Sequence, residues 1–225
     1  MSPTPHVLII GASRGIGAEF VRQYRADGAR VVATARDEAG LARVQALGAT
    51  ALRVDVASAA GASTLAWPID GERFDVVVFN AGVYGPRSSG LQAPTEAEFD
   101  HVMHTNVWGA MQVLPQLDGA LSPGARLAVI SSRMGSMGLR TSSGGWLYRA
   151  SKAALNSVLK DVSLAFAGHA VCVAFHPGWV RTDMGGSGAD LDVADSVRGM
   201  RGALARLTAA DNGAFLNFDG TPLAW

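Results

Sequence analysis

The feature that most restricts the fold is the run His6-Val-Leu-Ile-Ile10, which passes into Gly11-Ala-Ser-Arg-Gly-Ile-Gly17 and then into Ala18–Tyr24. A short apolar strand, a glycine turn and a helix N-terminus in that order make an anion site. Glycines let the backbone approach a pyrophosphate, and the free N–H groups and helix dipole stabilise its charge. The spacing is G-x-x-x-G-x-G. It differs from G-x-G-x-x-G, and it lacks the Gly-Lys-Ser/Thr ending of a P-loop. Gly11 to Gly15 also fits G-x-S-x-G, so a serine hydrolase with Ser13 as nucleophile is a remote alternative. That elbow belongs deep in the sheet order, with an Asp and then a His downstream, whereas this one follows the first strand.

The same alternation continues along the chain. Further strands are expected at Arg30–Ala35, Ala51–Val54, Phe74–Phe79, Arg126–Ile130, Val171–Phe175 and Ala214–Phe218. Helical patterns fill the gaps at Glu38–Leu47, Ser58–Trp67 (stopped by Pro68), Thr95–Leu121, Trp146–Ala167 and Val193–Leu207. Phe74–Phe79 is a near-continuous apolar run, as a parallel sheet requires. These elements predict one Rossmann-fold domain over residues 1–225, an α/β doubly wound parallel sheet of about seven strands with helices on both faces.

Composition excludes several classes. Lys plus Arg and Asp plus Glu stand at 19 each, so no electrostatic footprint points to nucleic acid or an anionic membrane. No apolar run approaches the roughly 18 residues of a membrane helix. The opening apolar run is too short for a signal peptide, so a cytoplasmic protein is expected. Cys172 is the single cysteine and falls in the apolar run Ala170–Phe175, where it reads as a core residue. His101 and His104 have helical spacing but no third ligand beside them, so no metal site is expected.

The chemistry-bearing residues fall at strand C-terminal ends, where open α/β sheets bind ligands. Arg36 follows the second strand, with no acid before it, and Arg14 sits in the glycine turn. Two arginines with bidentate reach suit a 2′-phosphate, so NADP(H) is expected over NAD(H). Asp55 ends the third strand and suits either an adenine amino group or a helix cap. Asn80-Ala81-Gly82 ends the fourth. Asn106 lies inside a helical pattern, where Asn is mildly unfavourable, and this invites a functional reading. Ser131 and Ser132 end the fifth strand. Tyr148 and Lys152 stand one helical turn apart on one face, which predicts a phenol whose pKa is drawn down by the ammonium, fit for general acid–base work. Gly185–Gly188 reads as a hinge or lid segment. Met134, Met137, Trp146, Trp179 and Met184 are candidates for an apolar substrate pocket.

Taken in order, Gly11–Gly17, Asp55, Asn80–Gly82, Asn106, Ser131-Ser132, Tyr148-Arg-Ala-Ser-Lys152 and Pro177-Gly178 with Thr182 resemble the short-chain dehydrogenase/reductase family over nearly the full length. Gly135–Gly138, Pro177–Gly186 and the ending Asp219–Trp225 resemble its C-factor-like and Sniffer-like carbonyl reductase branch. The resemblance implies a catalytic tetrad. Tyr148 is its acid/base, Lys152 lowers the Tyr148 pKa and binds the nicotinamide ribose, Ser132 polarises the substrate oxygen and Asn106 holds a relay water. It further implies cofactor contacts from Gly11, Ser13, Arg14, Gly15, Ile16, Gly17, Arg36, Asp55, Val56, Asn80, Ala81, Gly82, Tyr148, Lys152, Pro177, Gly178, Val180 and Thr182. The implied activity is hydride transfer between NADP(H) and a small carbonyl compound or secondary alcohol. A homodimer or homotetramer through the helices Thr95–Leu121 and Trp146–Ala167 is also implied. A second reading is a nucleotide-binding regulatory or signalling protein, the role for which the C-factor branch is named.

Overall fold

In the computed structural model, which describes residues 4–225, seven strands form one parallel sheet. They are β1 (His6–Ile10), β2 (Arg30–Ala35), β3 (Thr50–Arg53), β4 (Phe74–Phe79), β5 (Leu121–Ile130), β6 (Ala170–His176) and β7 (Ala214–Asn217). Their order is β3-β2-β1-β4-β5-β6-β7, so the winding direction reverses between β1 and β4. That reversal opens a crevice at the strand C-terminal ends, the usual ligand position of such a sheet.

Every residue of β1 is buried, because helices cover both faces. Successive side chains of a strand point to opposite faces. Leu8 and Ile10 accordingly join one core layer, with Val113, Leu155 and Leu159, while Val7 and Ile9 join the other, with Phe20, Val44 and Met200. The first layer packs under α5 (Gly109–Val113) and α6 (Trp146–Ala165), and the second under α1 (Gly15–Ala26), α2 (Glu38–Ala46) and α7 (Val193–Arg206). Each fully buried Leu, Ile or Phe side chain contributes about 1.5–3 kcal/mol, so these two layers hold the sheet edges in fixed relation.

Three expected elements differ. The stretch Thr95–Leu121 is not one helix. It runs as α4 (Glu96–Met103), a π-helical turn at His104–Trp108, α5, and a 3₁₀ segment at Leu114–Ala120, and Leu121 already belongs to β5. Pro115 lacks an N–H and ends the regular helix. The π turn coincides with buried Asn106, whose side chain is tied to a neighbouring loop. The helix expected at Ser58–Trp67 shortens to α3 (Ala59–Ser63), and Pro68 lies within a separate 3₁₀ turn at Trp67–Ile69. β5 begins five residues before Arg126, and its register against β4 shifts between Phe74 and Val76. No helix among the described residues is long and apolar enough to cross a membrane.

Candidate active site

The glycine turn joins β1 to α1. α2 and α4 carry side-chain caps: Asp37 accepts from the Gly40 N–H at 2.7 Å, and Thr95 and Glu98 form a reciprocal box. α1 has none, for its N-cap is Arg14 in extended conformation with no capping hydrogen bond. Its first N–H groups are thus left to another acceptor. The turn is also too tight for side chains. A Cβ on Gly17 would stand 2.2 Å from the Gly11 carbonyl oxygen and 2.7 Å from Asn80 Nδ2.

Neighbouring strand ends hold this turn in place. Thr34 Oγ1 accepts from the Gly11 N–H at 3.0 Å, and Asn80 Nδ2 donates to the Gly11 carbonyl at 2.6 Å. Ala81 packs against Gly11, and Thr182 packs against Gly15. Arg43 donates to the Ser13 carbonyl at 2.9 Å. Asp55 accepts from the Ala57 N–H, while Ser58, not Asp55, caps α3. Val56 beside it is buried in the core. The two arginines are not brought together by any contact. Arg14 donates to Asp183 at 2.9 Å, and Arg36 lies 3.7 Å from Asp37, all four side chains being more exposed than buried.

Across the crevice, α6 starts at Gly145, a left-handed glycine at φ +66°. A Cβ there would come 2.5 Å from the Tyr84 hydroxyl, so only glycine lets Tyr84 slide under the helix N-terminus. Tyr84 stacks on Tyr148 at 4.5 Å between ring centroids. Tyr148 and Lys152 lie on the buried face of α6, and Lys152 Nζ stands 5.7 Å from the Tyr148 ring centroid. It donates to the Ile130 carbonyl at 2.8 Å.

Asn106 is fully buried and ties three segments together. Its Oδ1 accepts from the Val83 N–H at 2.8 Å, and its Nδ2 donates to the Val83 carbonyl at 2.8 Å and to Ser151 Oγ at 2.9 Å. Asn106 Oδ1 and Lys152 Nζ would each lie 3.3 Å from a Cβ on Gly82, so that glycine keeps the space between them open. The two serines differ in attachment. Ser131 donates to Asn156 at 2.5 Å and is bound into α6, whereas Ser132 Oγ accepts from the Met134 N–H at 3.1 Å and draws the Tyr148 phenol pKa down.

The expected lowering of the Tyr148 pKa is reversed. Burial pushes the phenol up to about 12, against the opposing pull of Ser132, and Lys152 does not offset it. The ammonium lies toward the ring and donates to a backbone carbonyl, and its own burial lowers its pKa to about 8. Burial disfavours whichever form is charged, so it moves the two groups in opposite directions.

A cavity of about 510 Å³ opens onto these groups, lined by Ser131, Ser132 and Tyr148 together with Met134, Trp179 and Met184. Two expected pocket residues are not in it. Met137 is 72% exposed, and Trp146 lines a separate, smaller cavity, where its indole donates to the Gln92 carbonyl. Pro177, Gly178, Val180, Thr182 and Ile16 line the cavity on the glycine-turn side. Gly185 is a packed turn and not a free hinge: its N–H donates to Thr182 Oγ1, and its carbonyl accepts from the Trp179 indole at 2.9 Å. His101, on α4, and His104, at the start of the π turn, are exposed, and no cluster of three metal-ligating side chains occurs among the described residues. Sequence reasoning missed Tyr84, Arg87, Arg133, Ser151 and His176. Their position two to five residues from a strand-end motif, or beside one, was the available signal.

A doubly wound sheet with a glycine turn at its reversal point, and a serine, tyrosine and lysine converging on the crevice, defines a dinucleotide-dependent oxidoreductase. The comparisons agree. The family model for short chain dehydrogenase matches residues 5–190, and the chain belongs to that family. It is 38% identical over 154 residues to the C-signal protein of Myxococcus xanthus, covering 67% of this chain and 92% of that protein. A short-chain dehydrogenase/reductase from Burkholderia multivorans, solved with bound NADP, superposes at TM-score 0.90 with 30% identity over 99% of this chain and 100% of that one. The carbonyl reductase Sniffer of D. melanogaster superposes at TM-score 0.86 with 31% identity, over 99% of this chain and 100% of that one. The protein is therefore an oxidoreductase of the C-factor-like and Sniffer-like branch.

Proposed function

We propose that the protein is an NADP(H)-dependent carbonyl reductase, acting in reverse as a secondary-alcohol dehydrogenase, with Tyr148 as its general acid/base. The observation that carries this reading is the placement of Ser132 and Tyr148 on the wall of one cavity, with Lys152 and Asn106 buried and facing each other across Gly82, in a sheet whose first helix has an uncapped N-terminus. The residues present fit the dinucleotide. The glycine turn has no room for side chains, the first N–H groups of α1 lack a capping side chain, and Arg14, at that N-cap, and Arg36, at the end of β2, are both exposed. The NADP complex of the Burkholderia neighbour supports the same choice of cofactor.

Bound NADPH supplies the hydride. Ser132 and Tyr148 direct hydroxyl protons at the substrate oxygen, where negative charge develops as the carbonyl is reduced. Tyr148 then gives its proton to that oxygen. A phenol held protonated by burial suits the reductive direction, since the proton donor is ready at neutral pH. Lys152 supplies positive charge beside the phenolate left behind, and Asn106 holds the Val83 backbone and Ser151 in place around it. The test is titration with NADPH and NADH, followed by NADPH oxidation with a panel of ketones, aldehydes and quinones. Tighter NADPH binding with turnover is expected, and failure to bind either dinucleotide would refute the reading.

The similarity to C-signal supports a second reading, a regulatory protein that binds the dinucleotide with incidental catalysis. Tight NADPH binding without turnover across the panel would favour it. We further propose that the chain self-associates through α4–α5 and α6, where Phe99, Met111 and Leu164 stand exposed. Light scattering coupled to gel filtration checks this, with a monomer as the contrary result.

A further inference from the structure

We infer that the substrate carries an anionic group, a carboxylate, seated against Arg133 at the wall of the cavity that holds Ser132 and Tyr148. This rests on the reductase reading of that cavity and names its substrate class. The whole chain is charge-balanced, yet the cavity lining contains Arg87, Arg133 and Arg149 and no Asp or Glu. The imbalance is local to the site.

Two of these arginines are already engaged. Arg149 is buried and donates to the Gly144 carbonyl at 2.8 Å and to Ser142 Oγ at 2.7 Å. Arg87 donates to the Met184 carbonyl at 2.8 Å and lies over the Tyr84 ring. Arg133 is exposed, and its guanidinium has no hydrogen bond or ion pair among the described residues. Arg14, Arg30, Arg53, Arg181, Arg198 and Arg201, by contrast, each pair with a carboxylate. Arg133 directly follows Ser132 and opens the 3₁₀ turn Arg133–Gly135, so its charge is anchored one residue from the hydroxyl that faces Tyr148. That charge is felt across the cavity. Burial, with a smaller contribution from that charge, holds His176, at the end of β6, neutral, with a pKa of about 4.

The rest of the lining is largely apolar, including Ile16, Leu139, Trp179 and Met184. The matching ligand has a carbonyl at one end, an apolar middle and one anion at the other end. A planar guanidinium with a free fork suits a carboxylate, which it can bind through two parallel hydrogen bonds.

The test compares 4-formylbenzoate with its neutral methyl ester in wild type, Arg133→Gln and Arg133→Lys, all with NADPH. Wild type is expected to favour the acid over the ester by roughly tenfold or more in kcat/KM, the range of a charge-assisted hydrogen bond. The ratio should fall toward unity in Arg133→Gln, persist in part in Arg133→Lys, and shrink with added salt. An acid-to-ester ratio of one or below in wild type, or the same ratio in Arg133→Gln, overturns the inference. Binding of both compounds to the NADPH-loaded Tyr148→Phe enzyme separates recognition from chemistry. If wild type reduces neither compound, the reductase reading is decided by the carbonyl panel, and the anion site by binding alone. Acid-selective binding that Arg133→Gln abolishes would then still uphold the anion site, and equal binding of acid and ester would overturn it.

Discussion

Replacing Lys152 by Met should stabilise the protein while destroying its activity. Lys152 is 4% exposed, with no carboxylate beside it and one hydrogen bond, to the Ile130 carbonyl. Its pKa is lowered from 10.5 to about 8 by burial alone. A shift of that size corresponds to about 3 kcal/mol of destabilisation of the charged native form. Methionine is similar in length and apolar, so it removes this penalty and gives up a hydrogen bond worth about 1 kcal/mol. The net gain at pH 7 is about 2 kcal/mol, which raises Tm by roughly 4–8 °C for a chain of this size. The pH dependence is specific. Below pH 8 both native and unfolded Lys152 are protonated, and the full penalty is present. Between pH 8 and 10.5 the unfolded chain binds more protons than the native one, so wild-type stability climbs with pH toward that of the variant. Urea unfolding of both proteins without cofactor, at pH 7 and pH 10, reads the gap. A variant less stable than wild type at pH 7, or a gap that does not narrow at pH 10, would refute the reasoning.

Three further outcomes are expected. Gly17→Ala puts a methyl 2.2 Å from the Gly11 carbonyl oxygen, so the turn must move; NADPH affinity measured by fluorescence titration should fall roughly 100-fold, and an unchanged Kd would contradict the close fit. Arg36→Ala should weaken NADPH by roughly tenfold or more and leave NADH nearly unaffected; equal weakening of both would show that Arg36 does not read the 2′-phosphate. Asn106→Ala removes three hydrogen bonds from a fully buried position and should cost roughly 3–5 kcal/mol in urea unfolding, with a loss under about 1 kcal/mol showing that the Val83 loop finds other partners.

The strands were legible because each is a short apolar run closed by glycine, proline or a polar residue, and such signals are local. All seven form, in the order that a doubly wound sheet requires. Tyr148 and Lys152 were legible for the same reason, since helical spacing alone puts them on one face. What failed to show was set by distant partners. The π turn around Asn106 accompanies its hydrogen bonds to Val83 and Ser151, and those residues are 23 and 45 positions away. Tyr148 rises rather than falls in pKa because burial from several elements outweighs a single ammonium that donates to Ile130. Met137 and Trp146 left the pocket because apolar character marks a residue for burial or contact but not for a particular wall. Arg14 and Arg36 were read as a pair from their separate neighbours in sequence, yet each meets its own aspartate.

The central claim is that Tyr148 hands its proton to the substrate oxygen from a site that binds NADPH independently of it. Single-turnover oxidation of bound NADPH, in wild type and Tyr148→Phe, with one reducible carbonyl at saturation, tests it most directly. The variant is expected to bind NADPH as wild type does and to oxidise it slower by roughly 10²–10⁴-fold, the span of a lost general acid. An unchanged single-turnover rate in Tyr148→Phe would contradict the account.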